Sequence, residues 1–476
     1  MHEIRGVRPA VSRLLTAVFF MTAIAAVLCG DREAEAQVVI NPGQTIRAGK
    51  NTTVKCRSCI PFQCPECPPV SPEQSAPPEP TPAPSPSQTG SAGDTVNLAC
   101  STYSLPNRDS ANSSQIDQAN KIRGYCTLVL TWWSALPQQT WCPYILHNSS
   151  VKYCGPYDNY GYMNSKNDPG GWDLGGDLYN TYVLPKLAQC PLRNSSGQVA
   201  YNPYINSEVV ALQKGKQECV DFFMDYFEQV PESVYNGKWQ GTYKDRKWNL
   251  RFLDNFYVWG TEWFWSNAPS LTRDQQEKDA LAGARRVRER ADAIGVKIFA
   301  NIWNDVESEY FKRPVYPQLM DIVDYALFEV FTSKYSTGTP ETEAVWQRRV
   351  KTAQDINKSR KAIAVIGTEY GDYWYNLASG LLACEPGKCM FWQQSLPPDD
   401  VLAKVGDLDL GKPGADFTKA GCYIRPWEKG LVIVNPMDSG SCTVPLSGNY
   451  KDLETGGAVS GTVTVKMKDG KVLVKE

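Results

Sequence analysis

Apolar and polar positions follow two different rhythms along this chain. Between about residues 94 and 420, short apolar runs of strand length alternate with longer stretches whose apolar positions recur at helical spacing. The run 127–133 (TLVLTWW) predicts a strong strand, and 144–147 a shorter one. Residues 158–205, rich in Gly, Tyr, Asn and Pro, predict no clear element. In 208–229, Val209, Leu212, Cys219, Phe222, Phe223 and Phe227 recur near a 3.6-residue period, which predicts a helix. A strand ending at Asp254 follows. Thr272, then Asp274 and Gln275, open a long helix to Ile294, and Gly295 stands where a C-cap glycine belongs. After that come a strand at 296–302, a helix at 317–322, a strand at 325–331, a helix at 341–359 and strands at 361–370 and 389–394.

About eight strands with helices between most of them argue for a parallel sheet. Eight repeats in roughly 300 residues predict an α/β fold, a (β/α)8 TIM barrel, with its active site at the C-terminal strand ends. A doubly wound open sheet is the competing architecture. No GxGxxG or GxxxxGK loop supports it. From residue 421 the rhythm changes to period two: GLVIVNP, SCTVPL, GTVTVKM and GKVLVKE are broken by Gly, Asn, Asp and Pro. Residues 421–476 therefore predict a small antiparallel β-domain after a barrel spanning 94–420.

The N-terminal part reads as export machinery. Arg5, Arg8 and Arg13 precede an apolar stretch at 14–28, shorter than the roughly 20 residues of a membrane span. Ala34-Glu35-Ala36 is a small-x-small cleavage site, so residues 1–36 are expected to be a signal peptide and Gln37 the first mature residue. The expected product is secreted or extracytoplasmic, with no membrane span once the signal is removed. Leu28 is too large for the usual lipobox before Cys29, while an uncleaved anchor stays open. Residues 37–67 form a small Cys-rich unit ending in Cys56, Cys59, Cys64 and Cys67. Their two CxxC pairs fit zinc, yet only four residues separate the pairs, and disulfides are the favoured reading in an exported chain. Residues 68–93 are a Pro-rich linker.

Composition narrows the chemistry. Of 15 Cys, Cys29 falls in the signal, and the even remainder favours disulfides. Sequence proximity points to Cys384–Cys389 and Cys422–Cys442. Asn51, Asn112, Asn148, Asn194 and Asn357 open N-x-Ser/Thr sequons, relevant only in a glycosylating host. The net charge of −2 argues against a nucleic-acid partner. With only His2 and His147, neither a His-based metal site nor a Ser-His-Asp triad is expected. No metal or other cofactor is expected. Fourteen Trp and 24 Tyr fit either carbohydrate contact or a large core.

The stretch 249–265, NLRFLDNFYVWGTEWFW, carries the most chemistry. Its strand ends in Asp254, and a carboxylate there needs solvent, a partner or a substrate. Phe256, Tyr257, Trp259, Trp263 and Trp265 follow, rings of the kind that stack on sugar faces; a buried structural Asp among core aromatics is the plain alternative. Glycoside cleavage takes two carboxyl groups flanking one bond. Asp254 falls on the fourth strand and Glu329 on the sixth. Asp254 is the expected nucleophile or base and Glu329 the acid, since Phe328 and Val330 give it an apolar setting that raises its pKa. An outward-facing Glu329 paired with Arg or Lys is the structural alternative. Asn255, Glu262, Asn301, Asp305 and Glu369 are expected substrate contacts, and Asp372 a further acid nearby. Trp133, Trp259, Trp263, Trp303, Trp374 and Trp392 are expected stacking platforms.

At these residues the chain resembles extracellular TIM-barrel glycosidase-like families, distantly akin to endo-α-1,4-polygalactosaminidases and the α-galactosidase clan. The resemblance is carried by YNPYINSEVV, RFLDNFY, KIFANIW with Asn301, DYALFEVF with Glu329, and the β-module of the tail. It covers about 120–476, FLDN is its most specific motif, and 94–200 departs from the pattern with extra Cys and loops. That clan takes its nucleophile from strand four and its acid from strand six, which implies Asp254 and Glu329. The expected function is a secreted glycoside hydrolase whose partner is an oligo- or polysaccharide. A catalytically inactive glycan-binding barrel and a cell-envelope structural protein are the alternatives.

Overall fold

The structure is a computed structural model, and it describes residues 96–101, 111–131, 135–159, 162–164, 184–186, 188–202, 206–229, 248–254, 256, 271–302, 309–334, 337–368 and 371–476. The expected signal peptide, Cys-rich unit and Pro-rich linker lie outside the described residues.

Eight parallel strands close into a barrel. In chain order they are β1 (Asn97–Ser101), β2 (Cys126–Thr131), β3 (Tyr153–Asn159), β4 (Leu250–Asp254), β5 (Lys297–Asn301), β6 (Tyr325–Phe328), β7 (Ile363–Gly367) and β8 (Met390–Gln393). Each pairs with the next, and β1 closes on β8 through Asn97↔Met390 and Leu98↔Phe391. The helices are α1 (Ser113–Tyr125), α2 (Ala135–Leu146), α3 (Gln217–Gln229), α4 (Arg273–Ala293), α5 (Val315–Ile322), α6 (Glu343–Ser359), α7 (Tyr373–Leu381) and α8 (Asp399–Gly406), one after each strand. The open doubly wound sheet is excluded by the closure.

Strand alternation sorts the side chains into two layers. Leu128, Leu130, Leu250, Phe252, Phe299, Leu327, Val365 and Trp392 fill the barrel interior. Their neighbours Val129, Leu253, Ile298, Ala326, Ala364 and Phe391 face the helices. On α4, Ala280, Gly283, Ala284, Val287 and Ala291 make the buried stripe, and the small side chains let the helix lie close to the sheet. Side-chain caps set the helix starts: Thr272 accepts from Gln275 N–H, Thr342 from Val345 N–H and Asp372 from Tyr375 N–H. Gly295 ends the α4 connection at φ 67°.

Several expected elements differ. Residues 144–146 end α2 and His147 lies in the turn after it, so no strand forms there; Trp141, Cys142 and Ile145 are buried on this part of the helix, and a short apolar run does not distinguish the two states. The helix expected at 208–229 is a strand, Asn206–Ala211, followed by α3. The β-branched pair Val209-Val210 favours the strand. Between them a turn passes at Gly215, where an added Cβ would lie 2.4 Å from Asp279 Oδ1. That strand pairs with Tyr162–Asn164 and Tyr201–Asn202 in a small antiparallel sheet inserted between β3 and β4. The strands β1 and β3 have no clear sequence signal, yet Asp254 still ends the fourth barrel strand because they replace the misread run.

Eight antiparallel strands follow the barrel: β9 (Thr418–Ala420), β10 (Cys422–Trp427), β11 (Gly430–Asn435), β12 (Cys442–Pro445), β13 (Tyr450–Asp452), β14 (Ala458–Val459), β15 (Thr462–Val465) and β16 (Asp469–Lys475). Six form one sheet, and β12 pairs with β15. Their core contains Ile433, Val444, Tyr450, Val465 and Leu473. This β-domain rests on α7, where a Cβ at Gly470 would come within 2.6 Å of Ala378 Cβ. Five disulfides join Cys100–Cys126, Cys142–Cys154, Cys190–Cys219, Cys384–Cys389 and Cys422–Cys442; the last two match the pairs expected from proximity. Such usage marks an oxidising, extracytoplasmic environment. Among the described residues no helix is long and apolar enough to cross a membrane.

The tightest backbone approach in the barrel is at Gly155, where an added Cβ would sit 1.6 Å from Leu250 O. Gly155→Ala is therefore expected to push β3 from β4 and to destabilise the fold by about 3 kcal/mol. Urea unfolding measures this, and a loss below about 0.5 kcal/mol would contradict the close approach.

Candidate active site

Three consecutive strands bring together three polar side chains at the C-terminal rim. Asp254 is the last residue of β4, Asn301 the last of β5, and Glu329 follows the last residue of β6. Asn301 is 5% exposed. Its Nδ2 donates to Asp254 Oδ1 at 3.0 Å and to Glu329 Oε2 at 2.9 Å. One amide thus gives a hydrogen to each carboxyl group. Two oxygens held by one nitrogen at these distances are at most about 6 Å apart. For these two facing oxygens that is shorter than the roughly 6.5–9.5 Å spacing of inverting glycosidase pairs.

Asp254 is fixed from the other side by Tyr157 of β3, whose hydroxyl donates to Oδ2. The Tyr157 ring is itself stacked on Phe252, with centroids 5.1 Å apart. On the Glu329 side, the backbone presses against β7. An added Cβ at Gly367 would lie 2.1 Å from Glu329 O, so the glycine admits the chain that carries the acid. Arg349 of α6, 4% exposed, then holds the chain beyond Glu329: its Nη1 donates to the carbonyls of Val330, Phe331 and Ser333 at 2.9, 3.2 and 3.1 Å.

The two ends of β6 show opposite electrostatics. At the N-terminal end, Asp324 is 8% exposed, and burial pulls its pKa up. The Ile298 N–H, Lys297 and Arg288 outweigh that and hold the carboxyl below its usual range. At the C-terminal end, burial pushes the Glu329 carboxyl up, and the Asp254 charge adds to it. The Asn301 hydrogen bond opposes both, and the result is a pKa of about 7. Among the described residues no cation faces Glu329. A carboxyl group in this state holds a proton near neutral pH beside a second carboxyl group, an arrangement capable of acid–base chemistry. Among the described residues no three His, Cys, Asp or Glu side chains cluster as a metal ion would require.

Of the residues expected from sequence, Asp254, Asn301 and Glu329 converge. Trp392 is 3% exposed and packs in the barrel interior, its ring parallel to Phe252 at 6.5 Å and edge-on to Phe299 at 5.9 Å. As found it is core beneath the rim rather than an open platform. Trp374 lies on α7, with its carbonyl against Gly470 of the β-domain, and Asp372 caps the same helix. Trp133, Asn255, Trp259, Glu262, Trp263, Trp303, Asp305 and Glu369 lie outside the described residues. Sequence reasoning did not single out Tyr157, Gly367 or Arg349. For Tyr157 the available signal was the aromatic run YCGPYDNY, which reads as a strand only once its pairing with β2 and β4 is seen.

No family model and no curated protein matches the chain. Solved structures similar to it include an uncharacterized protein of Listeria monocytogenes, determined with α-D-glucose, β-D-glucose, magnesium and calcium. It is 11% identical over 80% of this chain and 41% of its own, with a TM-score of 0.43. A cycloalternan-degrading enzyme from Trueperella pyogenes is 9% identical over 80% of this chain and 62% of its own, TM-score 0.43. An α-amylase from Lactobacillus plantarum is 10% identical over 79% of this chain and 98% of its own, TM-score 0.45. The chain thus spans less than two thirds of the first two proteins. Identities this low carry no residue role across.

The raised pKa of Glu329 has a consequence for stability that needs no substrate. Between its ordinary value of 4.5 and its folded value of about 7, the folded state keeps a proton that the unfolded state has released. Stability contributed by the protonated group is full below 4.5 and falls as pH rises through about 7. Glu329→Gln removes that loss. The expected result is a Tm gain over the wild type that is larger at about pH 8 than at about pH 5. Calorimetry at the two pH values checks it, and an equal gain at both would contradict the shift.

Proposed function

We propose that this protein is a secreted glycoside hydrolase that cleaves O-glycosidic bonds in an oligo- or polysaccharide with retention of configuration. The observation that carries the reading is the bridge from Asn301 to Asp254 and Glu329. It holds an acid with a pKa of about 7 at short range from a second carboxylate on the barrel rim. The position of the pair at the C-terminal barrel rim supports the reading, since barrel enzymes carry their active sites there. The sequence resemblance to the α-galactosidase clan, with its nucleophile on strand four and acid on strand six, supports the same two residues.

In this mechanism an Asp254 oxygen attacks the anomeric carbon while the protonated Glu329 gives its proton to the leaving glycosidic oxygen. The C–O bond to the aglycone breaks and an Asp254 ester of the sugar forms. Glu329, now a carboxylate, takes a proton from water, the water oxygen bonds to the anomeric carbon, and Asp254 leaves. Tyr157 and Asn301 hold the two Asp254 oxygens in place, so less orientational freedom is lost on reaching the transition state. The signal peptide expected from the sequence and the disulfides support an extracellular setting. The aromatic residues that follow the strand ends, Trp259 and Trp263 among them, are the proposed sugar contacts.

The test is hydrolysis of a broad polysaccharide and aryl glycoside panel. The wild type is expected to cleave a member of it, with the first product in the anomeric configuration of the substrate by proton NMR. Asp254→Asn is expected to fall to background on every substrate. Glu329→Gln is expected to lose about 10²–10⁴-fold on unactivated glycosides, because it removes the general acid of the first step and the general base of the second. On aryl glycosides with good leaving groups it should keep most of kcat/KM, which reports the first step, while kcat falls because the ester then lacks its base. The wild-type kcat/KM should fall above about pH 7, where Glu329 loses its proton. Folded variants as active as the wild type would remove the two residues from the mechanism, and an inverted product would remove the ester intermediate.

A further inference from the structure

The C-terminal β-domain reaches the loop that carries Glu329 through a part-buried chain of polar contacts. Lys468, in the turn before β16, has φ 55°, a left-handed conformation that glycine adopts without strain and a lysine does not. Its Nζ leaves the β-domain and donates to the carbonyl of Glu341 at 2.7 Å, as well as to Pro436 O at 2.6 Å and Asp438 Oδ1 at 2.7 Å. Glu341 lies on the return arm of the loop after β6. Its N–H donates to Thr332 O at 2.8 Å, and Ser333 bridges Pro340 across the loop. The Glu341 carboxylate accepts from Arg349 Nη2 at 3.2 Å. Arg349 in turn donates to the carbonyls of Val330, Phe331 and Ser333, beginning one residue past Glu329. Thr332 is tied to the helix on which the β-domain rests, through Asn376 Oδ1 at 2.6 Å.

We infer that Lys468, Glu341 and Arg349 are positioning residues for Glu329, so that the β-domain is a working part of the active site rather than an independent appendage. The inference rests on the reading of Glu329 as the acid. It goes further by assigning to Lys468, which stands 139 positions further along the chain in a separate sheet, the job of keeping the acid loop closed. A loop released at Glu341 lets water reach the Glu329 carboxyl. The carboxyl then loses the desolvation that holds its proton.

The test is a carboxyl-carbon NMR titration of Glu329 in the full chain labelled with [5-13C]glutamate, the resonance being assigned by its absence in Glu329→Gln. Lys468→Met is expected to lower the Glu329 pKa from about 7 by about one unit, and to move the alkaline limb of kcat/KM down by the same amount. Lys468→Gly removes the amine while relaxing the backbone at φ 55°, so it should stay folded and show the same shift. Lys468→Arg should restore the wild-type value. Lys419→Met breaks a different contact between the β-domain and α6, the one to Glu343 Oε1 at 2.6 Å, and should leave the titration unchanged. If folded Lys468→Met and Lys468→Gly both titrate as the wild type, or Lys419→Met shifts Glu329 as much as they do, the positioning role is overturned. If Glu329 already titrates near 4.5 in the wild type, the acid reading falls and the inference with it.

Discussion

Closure of the barrel is the constraint from which the site follows. Because β1 pairs with β8 and all eight strands run parallel, every strand delivers its last residue to one rim. β4, β5 and β6 are neighbours both in the sheet and in strand order, so a residue at the end of β5 stands between the ends of β4 and β6. Asn301 holds that middle place. An amide is suited to it: it offers two hydrogens and no charge, so it orients two carboxyl groups without neutralising either. A lysine there would pull both pKa values down and cost the pair its proton.

The two acids that flank β6 are held in opposite electrostatic states. Asp324 and Glu329 lie five residues apart at opposite ends of β6. Asp324 receives an arginine, a lysine and a backbone N–H, and is stable as an anion. Glu329 receives one amide hydrogen and a negative neighbour. Burying a carboxyl group with so little compensation costs stability, and such costs recur where a proton must be held or moved. The contrast within one strand argues that the environment of Glu329 is specific to that position and not a general property of the barrel.

The remainder of the fold supports that position from behind. Gly367 lets the chain after β6 lie against β7, and Gly155 does the same between β3 and β4, which sets Tyr157 beside Asp254. The β-domain grips α7 and the β6–α6 loop. The described part of its surface presents few aromatic residues: Tyr423, Trp427 and Tyr450 are buried. Its rings therefore serve its own core and its contact with the barrel.

Much of this was legible in the sequence. The alternation of apolar runs with helical stretches determined a parallel (β/α) architecture, and the period-two tail determined an antiparallel module. Asp254 and Glu329 stood out because a charged residue closing an apolar strand is costly without a partner. Cys384–Cys389 and Cys422–Cys442 were legible because closure of a short loop is easy. What the sequence did not decide was set by contacts between distant segments. β1 and β3 are strands because neighbours on both sides complete their hydrogen bonds. Local pattern did not separate the strand Asn206–Ala211 from the helix after it. Tyr157 reaches Asp254 across 97 positions, and the interior place of Trp392 follows from its phase on β8 relative to Phe252 and Phe299. Local propensity acts over a few residues, whereas the pairing of carboxyl groups, their burial and the pKa that results exist only after the strands have closed around them.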